Sequence, residues 1–250
     1  MRPRGGGEPG KMRKDQRMDI RLSGRIDCRK IVLSSQWLQK RRRDQFYKLA
    51  KARGYRSRAS FKLLQTNRSY RFINHGQNVV DLGAAPGGWL QIAREAVGES
   101  GFVLGVDKQE IAPLPQRNVV TMMGDVEVLS LTDIIRERMP GPVDAVLSDV
   151  SPNLTGSWDT DHARQIYLAN QSLEIARRIL RKGGAFFVKT FHGPDLQEFR
   201  SNLQRSFQII RIVKPPASRN DSSEVYFLGL NYVGERELRP LPKEQLDPSH

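Results

Sequence analysis

Strand-like and helix-like segments alternate over most of the chain, and this alternation limits the possible folds more than any other feature. The short apolar runs that resemble strands are at 79–82, 102–106, 119–123, 145–148, 185–190, 209–213 and 225–232. Helical patterns lie between them, near 87–97, 126–139, 162–181 and 194–206. Such alternation predicts a mostly parallel sheet with helices on both faces. We expect one doubly wound α/β domain with a seven-stranded sheet. Only a loop joins the last two strands, so the last strand is predicted to be antiparallel.

Local signals add detail to this plan. A helical pattern from Ser35 to Arg53 is followed by Gly54, a suitable C-terminal stop. Ser57 is a candidate N-cap for a second short helix that ends near residue 65. The helix predicted at 162–181 is expected to end at Gly183-Gly184, because paired glycines terminate helices.

The charge of the chain is concentrated at its start. Residues 1–58 hold 19 Lys and Arg against 5 Asp and Glu, which accounts for the entire net charge of +14. Clustered cations favour a polyanionic partner, because their binding releases counterions from phosphates. RNA is the partner that we expect, although a solvated basic tail that only aids solubility is the simpler alternative. The candidate RNA-binding residues are Arg41, Arg42, Arg43, Lys48, Lys51, Arg56 and Arg58.

The domain organisation follows from composition. Residues 1–34 read as a flexible basic arm, 35–233 as the folded domain and 234–250 as a polar tail. Within the domain, 35–67 are predicted to form basic helices and 76–233 the α/β core. No stretch approaches 18 consecutive apolar residues, and the basic N-terminus has no apolar signal region. Cys28 is the single cysteine, which excludes an internal disulfide and suits the cytoplasm. Nothing in the sequence requires more than a monomer.

A glycine-rich turn follows the first predicted strand. Small residues allow the backbone to approach a ligand closely at the first strand-to-helix crossover, where doubly wound sheets bind nucleotides. The loop candidates for cofactor binding are Gly83, Pro86, Gly87, Gly88 and Trp89. The spacing is not that of a dinucleotide site, since Asp81 opens the turn and Pro-Gly-Gly closes it. An acidic residue at this position opposes a sulfonium or ammonium group better than a pyrophosphate, which favours S-adenosylmethionine.

Two further acids follow the next two strands. Asp107 ends the second strand, where doubly wound proteins accept hydrogen bonds from ribose hydroxyls. Asp125 follows the third strand and is suited to an adenine amine, although it is equally able to cap the helix predicted at 126–139. Each acid alone is a common turn residue. The series of three at successive strand ends is what predicts a nucleoside-binding site.

These residues resemble a known family. The string DLGAAPGGW at 81–89 is similar to the cofactor loop of the FtsJ/RrmJ-type RNA ribose 2′-O-methyltransferases, the RlmE family. The similarity covers roughly 35–232 and continues in four further segments, at 55–63, 147–153, 187–191 and 218–226. Ser151 stands where the family usually has Ala. The resemblance implies a Rossmann-like methyltransferase fold with S-adenosylmethionine bound by Gly87, Trp89, Asp107, Asp125 and Asp149.

The same resemblance implies a catalytic tetrad of Lys62, Asp149, Lys189 and Glu224. A ribose hydroxyl is a poor nucleophile until its proton is removed, and a lysine accepts that proton only when it is uncharged. We expect Lys189 to be the base and Asp149 to orient it, while Lys62 and Glu224 position the ribose. Lys189 follows an apolar strand, where an unpaired lysine is costly. The plainer alternatives are that Lys62 is a solvated charge and that Glu224 pairs with Arg219.

The resemblance further implies a substrate, most specifically a uridine of large-subunit ribosomal RNA. The alternative substrate for the same reaction is a tRNA anticodon loop. A non-catalytic RNA-binding assembly factor is the alternative of a different class, and the intact tetrad argues against it. The four histidines are scattered without metal-ligand spacing, so no metal site is expected.

Overall fold

A computed structural model describes residues 44–128, 130–219 and 221–234. The predicted arm, the triplet Arg41 to Arg43 and nearly all of the predicted tail lie outside the described residues. The predicted boundaries at 34 and 234 therefore stay predictions. Among the described residues, no helix combines the length and the apolar character needed to cross a membrane.

The described part of the chain contains helices and strands in alternation. The helices are α1 (Gln45–Ala52), α2 (Ser60–Tyr70), α3 (Gly88–Val97), α4 (Leu131–Arg138), α5 (Trp158–Ile179) and α6 (Leu196–Gln204). The strands are β1 (Asn78–Leu82), β2 (Phe102–Asp107), β3 (Val119–Met123), β4 (Val143–Ser148), β5 (Leu180–Phe191), β6 (Phe207–Val213) and β7 (Glu224–Tyr232). Every predicted strand is present within a few residues of its expected bounds.

The seven strands form one sheet in the order β3-β2-β1-β4-β5-β7-β6. The pairs β1–β2, β2–β3, β1–β4 and β4–β5 are parallel, whereas β7 runs antiparallel to both β5 and β6. The fold class and the antiparallel last strand are confirmed. The strand order reverses beside β1, so the C-terminal ends of β1, β2 and β4 border one crevice, as in other doubly wound sheets.

Apolar residues cover both faces of the sheet. Successive residues of a strand point to opposite faces. Phe186 and Val188 therefore join the core under α4, α5 and α6, whereas Phe187 joins the core under α2 and α3. All three side chains are fully buried. An interior strand of this kind requires any polar residue at its end to find a partner within the protein.

Several local predictions were wrong, each for a physical reason. Of the helix predicted from Ser35 to Arg53, residues 35–43 lie outside the described residues. The predicted helix does not run through Asp44, because Asp44 is extended and its carboxylate accepts the backbone N–H groups of Phe46 and Tyr47, so that α1 begins at Gln45. Ser57 does not cap α2, which begins at Ser60 without a side-chain cap.

The remaining corrections concern the helices at 126–139 and 162–181. Asp125 accepts the Glu127 N–H and shapes a turn, so it is no helix cap, and α4 starts only at Leu131. The long helix α5 begins four residues earlier than predicted and ends at Ile179. Gly183-Gly184 therefore does not end it and lies within β5, where Gly183 has a φ of +80°.

Candidate active site

The loop between β1 and α3 depends on glycine at two positions. Gly83 has a φ of +75° and Gly87 a φ of +103°, a region that other residues rarely adopt. A Cβ on Gly83 would lie 2.9 Å from the backbone of Val150, and one on Gly87 would lie 2.7 Å from the Arg56 guanidinium. The loop is thus folded tightly against the segment after β4 on one side and against Arg56 on the other.

The loop borders a cavity of about 750 Å³ at the C-terminal ends of β1, β2 and β4. Four of the predicted cofactor residues line it: Gly83, Pro86, Asp107 and Asp149. The size and the mixed polar and apolar wall suit a nucleoside with an attached amino acid. Among the described residues, no group of His, Cys, Asp or Glu is arranged to hold a metal ion.

The predicted acids occupy different positions relative to this cavity. Asp107 lines it and accepts hydrogen bonds from the backbone N–H groups of Ala85 (2.9 Å) and Gln109 (2.8 Å). Asp125 does not line it, although its neighbours Gly124 and Val126 do. Partial burial works against ionisation of Asp125, but the Glu127 N–H and the Lys108 ammonium, 3.0 Å away, together keep its pKa below the ordinary value.

Asp81 and Trp89 are buried and do not line the cavity. Asp81 is fully buried, and neither carboxylate oxygen has a hydrogen-bond partner. Burial raises its pKa well above the ordinary value, and the charges of Asp149 and Asp107 act in the same direction. The indole of Trp89 stacks on Phe187 at 5.4 Å in the core. A contact between Trp89 and the cofactor would therefore have to come from its backbone N–H, in the first turn of α3.

The predicted tetrad forms two ion pairs. Lys62 Nζ lies 2.7 Å from Glu224 Oε2, and Lys189 Nζ lies 3.2 Å from Asp149 Oδ1 and 2.7 Å from the Asp149 carbonyl oxygen. Both lysines are buried. Glu224 therefore pairs with Lys62 and not with Arg219, which lies near Asp44 instead.

Tyr226 connects the two pairs, and sequence reasoning missed it. Its hydroxyl accepts a hydrogen bond from Lys62 Nζ (3.0 Å) and donates one to Asp149 Oδ1 (3.1 Å). Burial is the main cause that raises the pKa of this hydroxyl well above its usual value, so it stays a donor. The signal was present in the alternation of β7, because Glu224 and Tyr226 are two residues apart and so lie on one face of the strand.

Gln165 of α5 was also missed. Its side-chain amide donates to the backbone oxygens of Val150 (3.1 Å) and Lys189 (3.0 Å), and thereby ties the ends of β4 and β5 together. Nothing in the local sequence distinguishes it from a solvated glutamine. Lys108, Glu127 and Arg164 likewise line the cavity without having been predicted.

The four candidate RNA-binding residues that the structure describes fall into two groups. Lys48 and Lys51 are exposed on α1. Arg56 instead donates to the carbonyl oxygens of Pro86, Ala112 and Pro113, and Arg58 pairs with Asp44 and the carbonyl of Ala217. The two arginines have structural partners that hold the N-terminal helices against the α/β core.

Comparisons with known proteins agree with this geometry. Residues 55–232 match the family model of the FtsJ-like methyltransferases. A protein of Methanocaldococcus jannaschii named Ribosomal RNA large subunit methyltransferase E is 45% identical over 203 residues, which are 80% of this chain and 83% of that one. A protein of the same name from Methanothrix thermoacetophila is 46% identical over 187 residues, 75% of this chain and 72% of that one.

A solved structure adds to the comparison. A Plasmodium falciparum chain assigned as a ribosomal RNA methyltransferase superposes with a TM-score of 0.62 at 25% identity, covering 72% of this chain and 100% of that one. The cavity, with its close-approach glycine and the Asp107 carboxylate, fits the methyl donor that such enzymes use, S-adenosylmethionine. The chain belongs to the FtsJ-like methyltransferase family and is an S-adenosylmethionine-dependent methyltransferase.

Proposed function

We propose that the chain methylates the 2′-hydroxyl of a uridine ribose in large-subunit ribosomal RNA, with Lys189 as the proton acceptor. The observation that carries the proposal is the placement of Lys189. Its buried amine is held by two oxygens of Asp149, the residue that also lines the cofactor cavity. An acceptor hydroxyl at Lys189 is therefore next to the cavity from which the methyl group comes.

The uncharged form of the Lys189 amine, which a general base requires, can keep both contacts with Asp149. A neutral –NH₂ group has two N–H donors and one lone pair. Two acceptors, the carbonyl and the carboxylate of Asp149, satisfy the two donors. The lone pair is then free to receive the proton of a hydroxyl group. After that transfer the amine is an ammonium, and the Asp149 carboxylate balances its charge.

The second ion pair, between Lys62 and Glu224, is suited to orient the ribose. Lys62 shares its donors between Glu224 and the Tyr226 hydroxyl, and it keeps a third N–H for a ribose oxygen. Tyr226 in turn fixes Asp149 through its own hydroxyl. S-adenosylmethionine, when bound, supplies a methyl group already activated on a sulfonium. The chain therefore needs to position and deprotonate the acceptor.

The RNA substrate is supported by charge and by the relatives. The net charge of +14 lies in residues 1–58, which suits a phosphate backbone. The curated relatives are named for large-subunit ribosomal RNA. The uridine and the ribose hydroxyl come from the resemblance of the motifs and the tetrad.

The test is a map of ribose methylation on total cellular RNA with and without the gene for this protein. We expect one large-subunit position to lose its 2′-O-methyl group and to regain it when purified enzyme and S-adenosylmethionine are added. Loss of a mark in a tRNA anticodon loop would favour the alternative substrate. A methyl group found on a base would refute the ribose assignment.

The role of Lys189 is tested separately. Lys189→Ala should lower the rate of transfer by about 10²- to 10⁴-fold, the usual loss when a general base is removed, while the Kd for S-adenosylmethionine stays near normal. Lys182→Ala is the matched control, because Lys182 is exposed on the same strand β5. A Lys189→Ala enzyme within tenfold of the wild-type rate would contradict the assignment.

A further inference from the structure

Trp158 is an exposed aromatic residue that neither the cofactor cavity nor the tetrad uses. It is the first residue of α5, and half of its side chain (52%) is accessible to solvent. Its indole stacks on the imidazole of His162, with ring centroids 5.4 Å apart and the planes 7° from parallel. The imidazole covers one face of the indole, and the exposed half of Trp158 leaves surface on which a second flat ring can stack.

This stacked pair is held rigidly. His162 is buried, and its Nε2 lies 3.3 Å from both the backbone N–H and the carboxylate of Asp195. Gly193 packs so closely that a Cβ there would come within 2.4 Å of the imidazole. Asp195 and Gly193 belong to the loop that directly follows β5, the strand of Lys189. The orientation of the indole is therefore tied to the strand that carries the proposed base.

The position of the pair on α5 places it beside the acceptor side of the site. Trp158, His162 and Gln165 share one face of the helix, and Gln165 donates to the backbone oxygen of Lys189. Asp161 and Arg164, on the adjacent face, line the cofactor cavity instead. Trp158 does not line that cavity.

The charge around the indole selects the part of an RNA that can bind there. Asp159 is exposed on the next residue of α5, and the Asp195 carboxylate is half-exposed beside His162. These carboxylates repel a phosphate, whereas a base is neutral and stacks on an aromatic ring. We propose that Trp158 stacks on a base adjacent to the methylated nucleotide and so holds a single-stranded segment with its ribose at Lys189. This proposal rests on the proposed function, and it adds that the RNA is single-stranded next to the methylated nucleotide.

The test compares two fluorescein-labelled probes that carry the same phosphates. One is a short single strand of uridines, and the other is an abasic strand of equal length. Wild-type enzyme should bind the uridine strand more tightly. Trp158→Ala should weaken binding of that strand by about 5- to 150-fold, the range expected for one stacked base, and leave binding of the abasic strand unchanged. Trp158→Phe should retain most of the affinity.

Two further readouts separate stacking from other roles. The slope of log K against log salt should be the same in Trp158→Ala and wild type, because no phosphate contact is lost. Tyr167→Ala is the matched control, because Tyr167 is a second exposed aromatic residue of α5 and contacts Arg164 rather than His162.

Equal losses on both strands, or no loss on either, would overturn the stacking role. If ribose methylation is mapped as proposed and Trp158→Ala binds like wild type, only this inference fails. If the wild type binds neither strand, the proposed RNA substrate and this inference fail together.

Discussion

We expect Gly83→Ala to distort the cofactor loop through a steric clash, and the effect of this clash can be separated from that of backbone strain. Gly83 has a φ of +75°, and its missing Cβ leaves room for the backbone of Val150. Gly54 has a nearly equal φ of +71°, but a Cβ there meets nothing within 4 Å. Both alanine variants suffer the same backbone strain, and only Gly83→Ala adds a collision.

The size of the two effects follows from the geometry. An L-residue in the left-handed region costs about 1–2 kcal/mol, which applies to both variants. At Gly83 the new Cβ would be 2.9 Å from three atoms of Val150, whereas carbon atoms normally approach to about 3.5–4.0 Å. Val150 and the loop must therefore separate, at a further cost of about 1–3 kcal/mol. We expect the free energy of unfolding of Gly83→Ala to be about 1–3 kcal/mol lower than that of Gly54→Ala.

Urea denaturation measures this difference, and calorimetric titration measures the affinity for S-adenosylmethionine. Gly83→Ala moves a wall of the cavity, so its Kd should rise by about tenfold or more, as for a loss of about 1.4 kcal/mol. Gly54→Ala should bind the cofactor as the wild type does. Equal stability and equal cofactor affinity in the two variants would refute the argument from close approach.

Three other predictions follow from the site and the charge distribution. Burial raises the pKa of Asp81 in the folded protein above its value in the unfolded chain. The protonated carboxyl therefore contributes its full stabilisation at low pH, and this contribution is lost as the pH rises through the folded-state pKa. Asn at position 81 cannot ionise, so the free energy of unfolding of Asp81→Asn should rise relative to that of the wild type from acidic to neutral pH. A difference between the two proteins that stays constant with pH in urea denaturation would contradict this. Tyr226→Phe removes the hydrogen bond that the hydroxyl accepts from Lys62 and the one that it donates to Asp149, and should lower the free energy of unfolding by about 1–3 kcal/mol with S-adenosylmethionine binding intact, as denaturation and calorimetry would measure. Deletion of residues 1–34 should weaken RNA binding and flatten its dependence on salt, and an unchanged salt slope would exclude a phosphate role for the arm.

Part of the site was predictable because its signals are local in the chain. Strand and helix periodicity depends on neighbouring residues, and the glycine-rich turn is one continuous segment. Asp107 was predicted from its position at the end of a strand and lines the cavity, whereas Asp125, predicted in the same way, does not line it. The tetrad followed from motifs whose order and spacing resemble a family, and the structure brings its members together in two ion pairs.

Other features depend on residues that are distant in sequence. Lys62 and Glu224 are 162 positions apart, and nothing near Glu224 indicates that its partner is Lys62 rather than Arg219. Arg56 and Arg58 look like any other cations of a basic segment, yet carbonyl groups of remote loops accept their hydrogen bonds. Composition counts charges and cannot show which of them are already satisfied.

The sequence by itself predicted the fold class and the glycine-rich loop, which follow from periodicity and from the need for glycine at a positive φ. The members of the tetrad came from the resemblance of the motifs to a family, and the structure brings those four residues together. Only the tertiary structure decided that Tyr226 joins the two ion pairs, that Asp81 and Trp89 are buried, and that Trp158 stacks on His162. Those outcomes depend on which side chains the sheet register and helix packing bring into contact, and on burial, which exists only after the chain has folded.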